Sequence, residues 1–185
     1  MDDQHLLREM RAGKEDAFRA IYERHQGALF RFVLHMTGSS TTAEEVTQDV
    51  FMHLIRKPRA YDPSKAPLAA YLFGIARNLA RRAFQNSASD VRMDDVEELD
   101  VTPAEADLIE KLGNSETLDF LRKAVLALPE LYREVVVLCD LEEMSYAEAA
   151  GILECSTGTV ASRMNRARNM LRTKLTRTAA RGCTR

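Results

Sequence analysis

Apolar residues in this 185-residue chain recur at intervals of three and four, and nowhere fall into the strict alternation of a half-buried strand. A chain patterned in this way folds as amphipathic helices packed face to face. The first helix is expected over residues 16–36, where Phe18, Ile21, Tyr22, Leu29, Phe32, Val33 and Met36 lie near helical spacing ahead of Gly38. The second starts at Thr41 or Thr42, because Thr41 with Glu44, or Thr42 with Glu45, spells a capping box. Its stripe is Val46, Val50, Phe51, Leu54 and Ile55, and Pro58 stops it. Pro67 opens a third helix through Tyr71, Leu72, Ile75, Leu79 and Phe84. Periodicity then fades over an acidic stretch, which reads as a flexible or locally helical linker. It returns near Glu116 with Leu118, Leu121, Val125 and Leu128, and Pro129 begins a further helix with Leu131, Val135 and Leu138. The expected architecture is all-α: two small helical domains, residues 1–87 and 116–185, joined by the acidic linker 88–115.

Charge is segregated along the chain. Residues 55–87 carry a net +6 and residues 163–185 a net +8, whereas residues 88–118 carry −8, so the formal total of −2 hides two basic stretches. Two basic stretches parted by an acidic one point to two sites for a polyanion. No apolar run approaches the roughly 20 residues of a membrane-spanning helix. The segment MDDQHLLREM lacks the basic-then-apolar pattern of a secretory signal, so a cytoplasmic location is expected. Cys139, Cys155 and Cys183 are odd in number and contain no CxxC pair, which argues against a disulfide framework or a zinc ribbon. Glu45, Asp49 and His53 share a helix face, yet one imidazole and two carboxylates at that spacing read as a solvated surface. With no glycine-rich phosphate cradle and no nucleophile paired with a base, no enzymatic activity, metal or cofactor is expected.

The densest signal lies near the C-terminus. Ser145 is placed to cap a short helix, residues 146–153, whose Ala147, Ala149, Ala150 and Gly151 allow a second helix to approach closely. Glu154, Cys155 and Ser156 form a tight turn in which Cys155 serves packing, and Ser156 caps a longer helix from Thr157 to about Leu175. On that helix Val160, Met164, Ala167 and Leu171 face inward, while Ser162, Asn165, Arg166 and Asn169 fall on another side. These are major-groove residue types: Arg grips guanine O6 and N7, Asn pairs with adenine, and hydroxyls take phosphate oxygens. Arg163, Arg166, Arg168, Arg172 and Lys174 add phosphate neutralisation.

The stretches AEEVTQDVFMHLI, YLFGIARNLARR and YAEAAGILECSTGTVASRMNRARNMLRTKL, in this order, resemble segments of the bacterial extracytoplasmic-function (ECF) sigma factors of the sigma-70 superfamily. The resemblance covers about residues 16–86 and 116–175. It implies a dissociable, non-enzymatic subunit that directs RNA polymerase to promoters. Its implied partners are the polymerase core, through the beta-prime and beta subunits, promoter DNA and an inhibitory anti-sigma factor, with no insertion into membranes. By the same resemblance Glu45, Gln48 and Asp49 match the stripe that docks on beta-prime. Tyr61 and Lys65 in the loop 61–67, with Tyr71, Arg77, Asn78, Arg81 and Arg82, match the part that reads the −10 element as a single strand, where an aromatic wall and amide hydrogen bonds suit an unstacked base. Thr157, Thr159, Ser162, Arg163, Asn165 and Arg166 match the −35 recognition helix. Two departures stand out: Tyr71 takes a position where the family commonly has Trp, and Ala161 one where it often has Lys or Arg.

A linker of roughly 28 residues averages about 30 Å between its ends as a coil and reaches about 90 Å when extended. Both domains can therefore engage one promoter. Within the resemblance, its negative charge suits polymerase channels lined for nucleic acid. Two other readings are compatible with the residues: a ligand-sensing helix-turn-helix repressor or activator, and a helical interaction module that never touches DNA.

Overall fold

The computed structural model describes the backbone of residues 2–90 and 115–182 and the side chains of residues 2–84 and 118–174. The helices are α1 (Asp3–Arg11), α2 (Glu15–Thr37), α3 (Ser40–Arg56), α4 (Leu68–Asp90), α5 (Ser115–Leu126), α6 (Glu130–Val136), α7 (Tyr146–Leu153) and α8 (Thr157–Gly182), with a π-helical turn, Val137–Leu141, continuing α6. No strand occurs among the described residues, and none of the helices is long and apolar enough to cross a membrane. Most of the acidic linker expected over residues 88–115 lies outside the described residues.

The first three expected helices correspond to α2, α3 and α4. Helix α1 was not among them. It joins the bundle through Leu6 and Leu7, both buried, while Asp3 meets His25 of α2 at 3.0 Å and also pairs with Arg24. Helix α2 ends where Gly38 turns into the left-handed region at φ 76° and its amide returns to the Leu34 carbonyl at 2.7 Å. That turn delivers Ser39, not Thr41 or Thr42, to the cap of α3: Ser39 Oγ accepts from the Thr42 amide at 3.2 Å and from the Thr42 hydroxyl at 3.0 Å. Val46, Val50, Phe51 and Leu54 are buried as expected, but Ile55 lies at the surface. The centre of this bundle is Ile21, Leu29, Phe32, Val33, Leu54 and Leu72, with Phe32 meeting Phe73 edge to face at 5.3 Å.

In the second half, Val125, Leu128, Val135 and Leu138 are buried, together with Val136, whereas Leu131, in the first turn of α6, is half exposed. The π turn adds a residue to the helix: the Glu142 amide reaches the Val137 carbonyl at 2.9 Å, a five-residue step. This brings Asp140 beside α8 and Glu142 beside α2. Ala149 and Ala150 of α7 are buried, while Ala147 and Gly151 face outward. The halves are docked directly on one another, α4 against α7 and the C-terminal part of α2 against α5.

Candidate nucleic-acid interface

Three constellations expected from the sequence occupy separate places on this scaffold. Along α3, Glu45, Gln48 and Asp49 are all exposed on the side opposite buried Val46, Val50 and Leu54. With Ser39 as the cap, Glu45 is not drawn into a capping box. The result is a polar, acidic stripe on a rigid helix, suited to docking on a basic or amide-rich partner surface.

The second constellation is the loop between α3 and α4 together with the outer side of α4. Arg11 of α1 anchors the loop, with Nε donating to the Pro58 carbonyl at 2.9 Å and Nη2 to the Tyr61 carbonyl at 2.8 Å. The Tyr61 hydroxyl donates to the Ala66 carbonyl at 2.8 Å, and its ring packs on Tyr71 at 5.1 Å between centroids. Asp62 Oδ1 accepts from both the amide and the hydroxyl of Ser64, at 3.0 and 2.7 Å. Those bonds hold its carboxyl below its ordinary range. Tyr61 is therefore buried, at 4% exposure, and braces the loop where an open aromatic wall was expected. Tyr71 is half-buried, and burial raises both phenols above their ordinary value. Lys65, Asn78 and Arg82 are exposed, as a DNA-facing role requires. Arg77 is enclosed, its Nε binding Glu134 Oε1 at 2.6 Å, whereas Arg81 stays 38% exposed while its Nε binds Glu130 Oε1 at 2.7 Å, both carboxylates belonging to α6 of the other half.

The third constellation is the helix-turn-helix of α7 and α8. Ser145 and Glu148 form a reciprocal capping box, the Ser145 hydroxyl accepting from the Glu148 amide at 3.2 Å and the Glu148 carboxylate accepting from the Ser145 amide at 2.9 Å. Glu154 closes α7 in the left-handed region at φ 53°, and the Cys155 amide donates to the Ala150 carbonyl at 3.1 Å. The Ser156 hydroxyl then caps α8 by accepting from the Thr159 amide at 3.1 Å. Val160, Met164 and Ala167 are buried, while Thr157, Ser162, Asn165, Arg166 and Asn169 are exposed, so the two faces divide as the spacing predicts. Arg163 is half-buried. Thr159 is half-buried as well, and its hydroxyl lies 2.9 Å from that of Ser156. Of the wider basic set, Arg168 is held bidentately by Asp140, at 2.7 and 3.3 Å, which raises its pKa, and Lys174 donates to the Ala127 carbonyl at 3.1 Å. These two cations, expected to neutralise phosphates, also tie α8 to the helices beside it.

Sequence reasoning missed Arg11, Asp140 and the α6 carboxylates. The capping box at Ser145 was readable from Glu148 three positions on. The others act across 28 to 57 residues of chain and leave no local pattern.

Residues 21–89 match the family described as Sigma-70 region 2, and residues 120–171 that described as Sigma-70, region 4. The chain is 32% identical over 146 residues to the ECF RNA polymerase sigma factor EcfG of Rhodopseudomonas palustris, covering 78% of this chain and 77% of that protein. It is 28% identical to the ECF RNA polymerase sigma factor BldN of Streptomyces coelicolor over 88% of its own residues, and spans 61% of the length of that relative. Among solved structures, the sigma factor RpoE in its complex with the anti-sigma factor NepR from Bartonella quintana superposes with a TM-score of 0.69 at 28% identity, covering 86% of this chain and 96% of that one.

Proposed function

Because this chain belongs to the ECF family of RNA polymerase sigma factors, we propose that it acts as a dissociable initiation factor that joins the polymerase core and brings it to promoters. The family works by recruitment, not by catalysis. In this reading Glu45, Gln48 and Asp49 dock on the beta-prime subunit. The loop bearing Tyr61 and Lys65, with Tyr71, Arg77, Asn78, Arg81 and Arg82, engages the −10 strand. Thr157, Thr159, Ser162, Arg163, Asn165 and Arg166 read the −35 duplex. Residues 1–87 and 116–185 are the two functional units, the basic tail belonging to the second, and the acidic linker passes between them along polymerase, including beta. The place of action is the cytoplasm, and an anti-sigma factor is the expected inhibitory partner, in keeping with the complex that RpoE forms with the anti-sigma factor NepR.

The observation that carries this reading is the division of α8 into a buried stripe of Val160, Met164 and Ala167 and an exposed row of Ser162, Asn165 and Arg166, presented by a capped α7 and a tight turn. Joining two modest contacts on one scaffold raises the effective concentration of each for the other, so the assembled enzyme grips a promoter that neither half holds alone. Run-off transcription with purified core polymerase tests the proposal. Promoter-dependent transcripts are expected only when this protein is added. Tight operator-like binding of duplex DNA by the free chain, with no effect on polymerase, would replace it with the repressor reading.

A further inference from the structure

The surface where the two halves meet uses the same arginines that the proposed function assigns to the −10 strand. Arg77 and Glu134 form a pair with side chains 11% and 1% exposed, joined by Nε to Oε1 at 2.6 Å and Nη2 to Oε2 at 3.3 Å. One turn farther along α4, Arg81 is held by Glu130 at 2.7 Å. A third ionic contact, Arg31 of α2 with Glu142 after the π turn, also joins the halves, at 2.9 and 3.2 Å, with the Glu142 side chain 3% exposed. Arg133 of α6 also crosses from one half to the other, donating to the Met36 carbonyl at the end of α2, and the Leu126 side chain seats against Gly38, where an added Cβ would come within 3.1 Å.

The arrangement is selective. Glu45, Gln48 and Asp49 stay exposed, as do Ser162, Asn165 and Arg166, while Arg77 and Arg81 are taken up by carboxylates spaced four residues apart on one face of α6. A carboxylate on a guanidinium makes the same forked, charge-assisted bond as a phosphate oxygen. We propose that α6 is an internal competitor for the −10 strand: Glu130 and Glu134 occupy Arg77 and Arg81 and hold the free chain closed, so that polymerase can dock on α3 before the −10 surface opens. This inference rests on the reading of Arg77 and Arg81 as strand-binding residues.

A strand reaching a surface that is open only part of the time binds with its affinity reduced by the open fraction. The test uses the full chain and three variants, Glu134→Gln, Glu130→Gln and Glu142→Gln, none of which lies in the proposed polymerase or DNA contacts. Two quantities are measured without polymerase: the radius of gyration by small-angle X-ray scattering, and binding of a fluorescein-labelled oligothymidine strand by anisotropy. Glu134→Gln is expected to enlarge the radius and to tighten strand binding by roughly 5- to 10-fold. Glu130→Gln, on the partly exposed rim, and Glu142→Gln should do the same to a smaller degree, and they serve should Glu134→Gln fail to fold. Affinity for core polymerase should stay within about 2-fold, since the α3 stripe is open in both states. Unchanged radius and strand affinity in the folded variants would overturn the inference. So would a larger radius without tighter strand binding, because the interface would then cover no strand-binding surface. If the parent chain failed to bind core at all, the proposed function would fall, while the radius would still report on the latch.

Discussion

Arg166 and Arg168 stand two positions apart on α8 and have opposite occupations: Arg166 is exposed on the outward row, whereas Arg168 is clasped by Asp140. Arg166→Ala is therefore expected to weaken use of −35-dependent promoters by about 1 to 3 kcal/mol, the scale of one bidentate base contact, while leaving core binding intact. Comparison of run-off yields on promoters with and without a −35 element checks this. Equal loss on both would mean that Arg166 does not read bases. Arg11 lies far from that helix and acts on backbone, tying the Pro58 and Tyr61 carbonyls to α1. Arg11→Ala should loosen the loop by about 1 to 2 kcal/mol, since charged hydrogen bonds to carbonyls are lost at a partly exposed site. The expected signature is slower opening of double-stranded promoters, followed with a fluorescent base analogue, with near-normal initiation on a template already melted at the −10 element. A defect of equal size on the melted template would place Arg11 elsewhere in the pathway.

Helix ends carry the geometry of the helix-turn-helix. Removing the Ser145 hydroxyl by Ser145→Ala should lower stability by about 1 kcal/mol, the usual worth of an N-cap. The Glu148 carboxyl is held below its ordinary range by the hydrogen bonds to Ser145, and that contribution is present above the ordinary glutamate pKa and fades as pH falls through the depressed value. The stability gap between parent and Ser145→Ala, read from thermal unfolding, should accordingly narrow in acid. A gap that is constant down to low pH would show that the carboxylate takes no part. The caps also explain which elements were legible beforehand. Ser145 stands alone before its helix and Ser156 is the first of a pair with Thr157, and both serines cap as expected. Ser39, Ser40, Thr41 and Thr42 form a run of four hydroxyl residues, any of which offers an acceptor, and only the left-handed turn at Gly38 selects the first. Helix α1 escaped because its buried pair, Leu6 and Leu7, is too brief to set up a period. The sequence presents the face of α4 as basic, and Asn78 and Arg82 are exposed there. No local rule foretold that Arg77 and Arg81 would meet carboxylates 57 and 49 residues away.

For the chain as a whole, the decisive quantities are the docking of the halves and the charge between them. The stretch joining them carries Asp94, Asp95, Glu97 and Glu98, and converting these four to Lys is expected to weaken core binding or initiation several-fold at low salt, with the difference shrinking as ionic strength rises. Unchanged transcription across that salt range would count against a channel-seeking linker. The docked arrangement also has an asymmetry in Arg133. Its guanidinium reaches the Met36 carbonyl of the first half but also the Leu126 and Leu128 carbonyls of its own half, and it lies over the Phe84 ring at 5.5 Å. Were the halves to part as proposed, Arg133 would give up the Met36 carbonyl and the Phe84 ring, both of the first half, and water would take up the carbonyl. The arginine itself keeps two carbonyls at the close of α5. Parting of the halves, as proposed, would therefore leave the guanidinium with two partners inside its own unit, so the latch could open without stranding a buried charge there.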